Sequence, residues 1–100
     1  MAYPYSSEVA RFNPQRRAIY TMLLNTAGRE WTVATLTASL RGSVPADAVR
    51  SSLDTLLAHG LMIQVPGHQE ITAQLTDEGA TALSLITEQW RRSQAPPSSP

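Results

Sequence analysis

The chain has 100 residues, enough for a single domain with one modest hydrophobic core. Apolar residues make up 42% of it, as in folded globular domains, and the absence of cysteine excludes disulfides, thiol catalysis and thiolate-bound zinc. No apolar run reaches the length of about 18 residues needed to cross a bilayer. The N-terminus lacks the basic and then apolar order of a signal peptide, so we expect a cytoplasmic protein with no membrane partner.

The formal net charge is zero, but the charges are divided along the chain. Residues 1–50 hold six arginines and three acidic residues, whereas residues 51–100 hold two arginines and five acidic residues. A surface that binds nucleic acid must neutralise phosphates, so we expect any such surface on the first half. All the basic residues are arginine and alanine is abundant, which is typical of the GC-rich coding genomes of some bacteria and their phages.

Residues 1–12 show little periodicity and are predicted to form an N-terminal arm. A first helix is then predicted to begin with Asn13 as its N-cap and Pro14 at its first position. Apolar side chains follow at helical spacing, at Ala18, Ile19, Met22 and Leu23. Gly28 is expected to end this helix.

Two further helices, separated by a turn at residues 42–44, are predicted to form a helix-turn-helix unit. Thr32 is the expected N-cap of the second helix, and Pro45 is expected to open the third, where its missing N–H costs nothing. One apolar stripe of the third helix consists of Val49, Leu53, Leu56 and Leu57. Gly60 is expected to follow the helix in the left-handed conformation.

A β-hairpin and a last helix complete the predicted elements. In the first strand Leu61, Ile63 and Val65 alternate with Met62 and Gln64, and the second strand covers residues 71–75. Pro66 and Gly67 supply the centre of a type II turn. Thr76 is the expected cap of the last helix, and residues 93–100 are predicted to be a disordered tail.

Residues 56–61, LLAHGL, are predicted to end the third helix, and residues 75–79, LTDEG, are predicted to start the last one. These two segments, with the hairpin between them, resemble segments of bacterial winged helix-turn-helix transcription regulators of the MarR, PadR and ArsR types. The resemblance spans residues 14–92. It implies a mainly α-helical fold in residues 13–92, with a three-helix core, a two-stranded wing and a C-terminal helix. It also implies sequence-specific binding to double-stranded DNA, in control of transcription, as a homodimer.

In such a fold the third helix enters the major groove. Its face away from the apolar stripe carries Ser51 and Thr55, with Arg50 at the flank. Arg50 is predicted to read guanine through a bidentate contact, and Ser51 and Thr55 are predicted to contact bases or phosphates. Phosphate contacts are predicted at Arg41, Arg16 and Arg17, and a contact from the hairpin tip at His68.

Two acidic residues, Asp47 and Asp54, share that face of the third helix and repel phosphates, and the hairpin carries no arginine or lysine. These features leave a second interpretation open. The chain would then be a winged-helix module that binds another protein, as an accessory or anti-regulator factor, without strong DNA binding.

Enzyme chemistry finds little support in the sequence. His59 and His68 lack any second histidine or cysteine at metal-ligand spacing. No nucleophile elbow, glycine-rich phosphate loop or paired carboxylates occur either. We expect neither enzymatic activity nor a metal or other cofactor.

The last helix carries the predicted homodimer interface, an apolar stripe of Leu83, Ile86 and Trp90. Trp90 lies near the helix end, where a large aromatic side chain is more easily explained by a partner than by solvent. The alternative is that Trp90 folds back onto the N-terminal arm, near Tyr3, Tyr5 or Phe12.

Overall fold

The computed structural model describes residues 7–94, which form five helices and three short strands. The helices are α1 Ser7–Ala10, α2 Pro14–Asn25, α3 Val33–Ser39, α4 Ala46–Ala58 and α5 Asp77–Gln94. The strands are β1 Glu30–Trp31, β2 Met62–Gln64 and β3 Ala73–Leu75. The fold is thus mainly helical with a small antiparallel sheet. Within residues 7–94, no helix is both long and apolar enough to cross a membrane.

The predicted N-caps of α2 and α3 are confirmed. The Asn13 side-chain oxygen accepts hydrogen bonds from the backbone N–H groups of Gln15, at 2.8 Å, and Arg16, at 3.2 Å. Thr32 and Thr35 form a reciprocal capping box at the start of α3. The end of α2 was predicted at Gly28, but the helix stops at Asn25.

The end of α4 determines where β2 begins and which of its side chains is buried. Gly60 has a φ of 73°, and the N–H of Leu61 donates to the carbonyl of Leu56 at 2.9 Å, which together make the predicted left-handed helix end. Because Leu61 belongs to this cap, β2 begins at Met62. Met62 is 1% exposed, whereas Ile63 is 53% exposed and Gln64 is also exposed, so Met62 is the one buried residue of β2 and Ile63 does not face the core.

The sheet has the strand order β1-β3-β2, with both pairs antiparallel. Met62 pairs with Leu75, and Trp31 pairs with Ala73 on the other edge of β3. The predicted hairpin is therefore present, and a third strand, β1, which was not predicted from the sequence, pairs with it.

The core extends beyond the predicted domain boundary at residue 13. Val9 is fully buried, and the Tyr20 hydroxyl donates to its carbonyl at 2.9 Å. Residues 7–12 therefore belong to the domain rather than to a separate arm. At the other end, Ser93 and Gln94 complete α5, so the predicted tail cannot begin at residue 93; residues 1–6 and 95–100 lie outside the described part.

The predicted dimer stripe is part of the chain's own core, so its assignment to an interface is corrected. Leu83 and Ile86 are fully buried and Trp90 is 5% exposed. The indole of Trp90 stacks on Tyr20 with ring centroids 5.4 Å apart, and meets Phe12 edge-on at 5.5 Å. The alternative contact with Phe12 is thus confirmed, whereas Tyr3 and Tyr5 lie outside the described residues.

The start of α5 is fastened to the end of α4. The Thr76 hydroxyl accepts a hydrogen bond from the N–H of Gly79 at 2.9 Å, which confirms Thr76 as the cap. The same hydroxyl donates to the carbonyl of Leu61 at 3.0 Å. Gly79 packs against that carbonyl so closely that a β-carbon at residue 79 would overlap it. The helix start predicted at residues 75–79 therefore depends on glycine for tertiary packing.

Candidate nucleic-acid interface

The exposed face of α4 carries the residues predicted to contact DNA from this helix. Arg50 and Ser51 are exposed, and so are Asp47 and Asp54. Thr55 is half-buried, and its hydroxyl donates to the carbonyl of Ser51 at 2.9 Å. That bond uses the only proton of the Thr55 hydroxyl, which can then only accept hydrogen bonds from a ligand. Arg50 and Ser51 are the donors that this face offers.

The turn between α3 and α4 has an unusual backbone. Arg41 has a φ of 53° and Gly42 follows with a φ of 78°, so two consecutive residues are left-handed. A side chain in this region costs about 1–2 kcal/mol relative to glycine. Arg41 is exposed and joins no ion pair among residues 7–94. Its guanidinium is therefore free to bind an anion just before α4 begins.

The hairpin tip is tied to the opposite edge of the sheet. His68 Nε2 lies 3.2 Å from Glu30 Oε1, and both side chains are about half exposed. Glu30 belongs to β1, so this contact joins the β2–β3 loop to the far strand. The side chain predicted to touch DNA from the hairpin tip is therefore engaged with a carboxylate of its own chain.

A groove separates α4 from the hairpin, with the start of α3 as its third wall; we call it the α4–hairpin groove. Its polar lining consists of Thr32, Arg50, Asp54 and Glu70, and its apolar lining includes Leu53, Leu57, Ile71 and Ala73. Glu70 and Ile71 were not among the site residues predicted from the sequence. Ile71 belongs to the second strand as predicted from the sequence, but it precedes β3 and is 60% exposed.

The two arginines at the start of α2 occupy a different part of the molecule. Arg16 is half-buried and its Nη1 donates to the carbonyl of Arg11 at 2.6 Å. Arg17 is exposed beside a shallow depression that also includes Phe12 and Met22. That depression shares no lining residue with the α4–hairpin groove. The predicted phosphate contacts are thus divided between the two places.

Burial also changes the acidity of one side chain near Arg16. Burial raises the pKa of Tyr20 to about 12, and the positive charge of Arg16 opposes part of that rise. The Tyr20 phenol is therefore neutral throughout the physiological range, as its hydrogen bond to the Val9 carbonyl requires.

A further arginine lies on the sheet side of the molecule. The guanidinium carbon of Arg29 lies 4.4 Å from the centre of the Trp31 ring, a cation–π arrangement. In the sequence, the only indication of this contact is that Arg29 and Trp31 are two positions apart. Residues 7–94 contain no group of three or more histidine, aspartate or glutamate residues placed to hold a metal ion.

No protein-family model matches the chain, and no curated protein matches it. Fifteen chains of solved structures do match. One of them is the crystal structure of RV1404 from Mycobacterium tuberculosis, with a TM-score of 0.60 and 22% sequence identity. The match covers 92% of this chain and 69% of that chain. At this level of identity the likeness concerns the fold alone.

Proposed function

We propose that the chain is a winged helix-turn-helix protein that binds double-stranded DNA and regulates transcription. The element order supports it: helix α2, strand β1, helices α3 and α4, and a hairpin that pairs back onto β1. In this proposal α3 and α4 are the helix-turn-helix, α4 is the recognition helix and the hairpin is the wing.

The observation that carries the proposal is the pair of unengaged arginines around the start of α4. Arg41 lies in the turn before the helix and Arg50 in its first half, both exposed and without an ion pair among the residues described. In helix-turn-helix proteins the N-terminal part of the recognition helix meets base edges. Arg50 suits a bidentate contact with guanine and Arg41 suits a phosphate.

The acidic residues of the same helix limit the expected affinity. Asp47 and Asp54 offset the charges of Arg41 and Arg50, so one copy supplies little net attraction to phosphates. A homodimer on two half-sites would compensate for this. We retain the dimer as a proposal, on a surface other than the buried stripe of α5.

The second candidate function is a protein-docking module. It is favoured by the carboxylates of Asp54 and Glu70 and the exposed Ile71, which line one groove beside α4. This combination repels phosphates and gives a partner apolar area to cover.

A salt-dependent binding assay with pooled genomic fragments tests the proposal. Removal of Arg50 should weaken discrimination by about 1–3 kcal/mol at one base position, whereas removal of Arg41, Arg16 or Arg17 should weaken binding to every sequence and reduce the salt slope by about 1. Arg92→Ala is the matched control, because Arg92 lies at the end of α5 beside Glu88. Absence of DNA binding at low salt would contradict the proposal and favour protein docking.

A further inference from the structure

The α4–hairpin groove has the dimensions of a small-molecule site. Its volume is about 640 Å³, within the range of about 300–1,000 Å³ that ligand pockets occupy. Three separate elements line it, namely the start of α3, one side of α4 and the segment that leads into β3. A molecule in the groove would therefore touch rigid secondary structure on at least two sides.

The apolar lining changes from buried to exposed across the groove. Leu53 is 4% exposed and Ala73 is 1% exposed, so they belong to the hydrophobic core. Ile71 lines the same groove but is 60% exposed, and it is one of three large hydrophobic side chains exposed among the described residues. An apolar ligand would remove part of the Ile71 surface from water, which is the main source of affinity in such sites.

The charged lining has an excess of negative charge. Asp54 and Glu70 are carboxylates, and Arg50 is the single cation of the lining. None of the three joins an ion pair within residues 7–94. The two carboxylates are exposed, and they attract a cation and repel an anion.

We propose that the α4–hairpin groove binds a small organic cation with a flat aromatic body, of the arylalkyl ammonium class. The ammonium group is attracted by Asp54 and Glu70, and the ring covers Leu57 and Ile71. The guanidinium of Arg50 is planar and can stack on the face of the aromatic ring. It would repel a small cation that has no such ring. The proposal does not depend on DNA binding.

A titration of the full chain followed by the methyl NMR signals of Leu57 and Ile71 tests this. The probes share one ring and differ in charge: 2-(2-naphthyl)ethylammonium, the neutral 2-(2-naphthyl)ethanol, and 2-naphthylacetate. We expect the cation to shift both methyl signals saturably and to bind about fivefold more tightly than the neutral probe. The anion should bind more weakly still.

Variants separate the charge effect from simple apolar binding. Replacement of both carboxylates, Asp54→Asn with Glu70→Gln, should remove the fivefold preference for the cation over the neutral probe. Glu78→Gln is the control, because Glu78 is an exposed carboxylate at the start of α5, outside the groove. Equal binding of the three probes, an equal loss with Glu78→Gln, or unshifted Leu57 and Ile71 signals would overturn the proposal.

Discussion

The backbone of Gly79, in the first turn of α5, lies directly against the carbonyl group of Leu61, at the end of the α4 cap. Thr76 bridges the two, since its hydroxyl bonds to both. The start of one helix is thus fixed on the end of another, and the hairpin between them begins and ends at this contact.

Gly79→Ala should destabilise the chain by about 1–3 kcal/mol, because the added methyl group overlaps the Leu61 carbonyl. Alanine is otherwise favoured over glycine inside a helix by about 1 kcal/mol. The prediction therefore has the opposite sign to helix propensity. Urea unfolding measures the change in the free energy of unfolding. Thr81→Ala, at an exposed site of the same helix, is the control and should not lower stability. A stabilised Gly79→Ala variant would show that α5 is not held this closely.

Trp90→Phe should destabilise the chain about 1–2 kcal/mol more than Trp31→Phe, although both changes remove the same atoms. The Nε1 of Trp90 donates to the carbonyl of Ala10 at 2.7 Å, whereas the buried Nε1 of Trp31 has no partner among the described residues. Phenylalanine at residue 90 loses a hydrogen bond, and at residue 31 it relieves an unsatisfied donor. Free energies of unfolding of the two variants provide the comparison, and equal losses would contradict it.

Stability should fall as the pH rises from about 10 to about 12, through Tyr20. The pKa of Tyr20 is about 12 in the folded chain, against an ordinary value of 10.0. The unfolded chain loses this proton first, so the stabilisation is complete below about pH 10 and decreases by about 2–3 kcal/mol at most. The chain has no lysine, which leaves this pH range to tyrosine.

Urea unfolding at a series of pH values checks this dependence. Tyr20→Phe should be less stable at neutral pH, because it loses the bond to the Val9 carbonyl, but its alkaline decline should be much smaller. A variant with the same decline as the wild type would assign the effect to another group.

Arg41→Gly should raise stability by about 1 kcal/mol, because glycine adopts the left-handed conformation without strain. If Arg41 binds phosphate, the same variant should lose DNA affinity. Arg41→Ala separates the two effects, because it removes the guanidinium and keeps the β-carbon in the strained region. Thermal unfolding and DNA-binding measurements on both variants are required. Full DNA affinity in both would remove Arg41 from the interface.

The sequence predicts those elements whose signals are local. Asn13, Thr32 and Thr76 cap helices as expected, since a cap bonds to residues within three positions. β1 was missed because a strand of two residues has no periodicity, and only its pairing with β3 defines it. The position of Trp90 depends on Ala10, eighty residues away, which no local pattern reports.

The candidate site was predictable only in part. The exposure of Arg50 and Ser51 follows from the helical period of α4 and agrees with the sequence analysis. The pairing of His68 with Glu30 could not be predicted from a local pattern, because it depends on how the hairpin folds over β1. The α4–hairpin groove is likewise formed by segments distant in sequence.

The stacking of Trp90 on Tyr20 has a consequence for the biosynthesis of the chain. Synthesis proceeds from the N-terminus, so Phe12 and Tyr20 are made long before the indole that covers them. The bond from Tyr20 to Val9 can form within the early segment, but the aromatic cluster cannot. Until residue 90 has been added, the rings of Phe12 and Tyr20 lack the indole that packs on both of them in the folded chain.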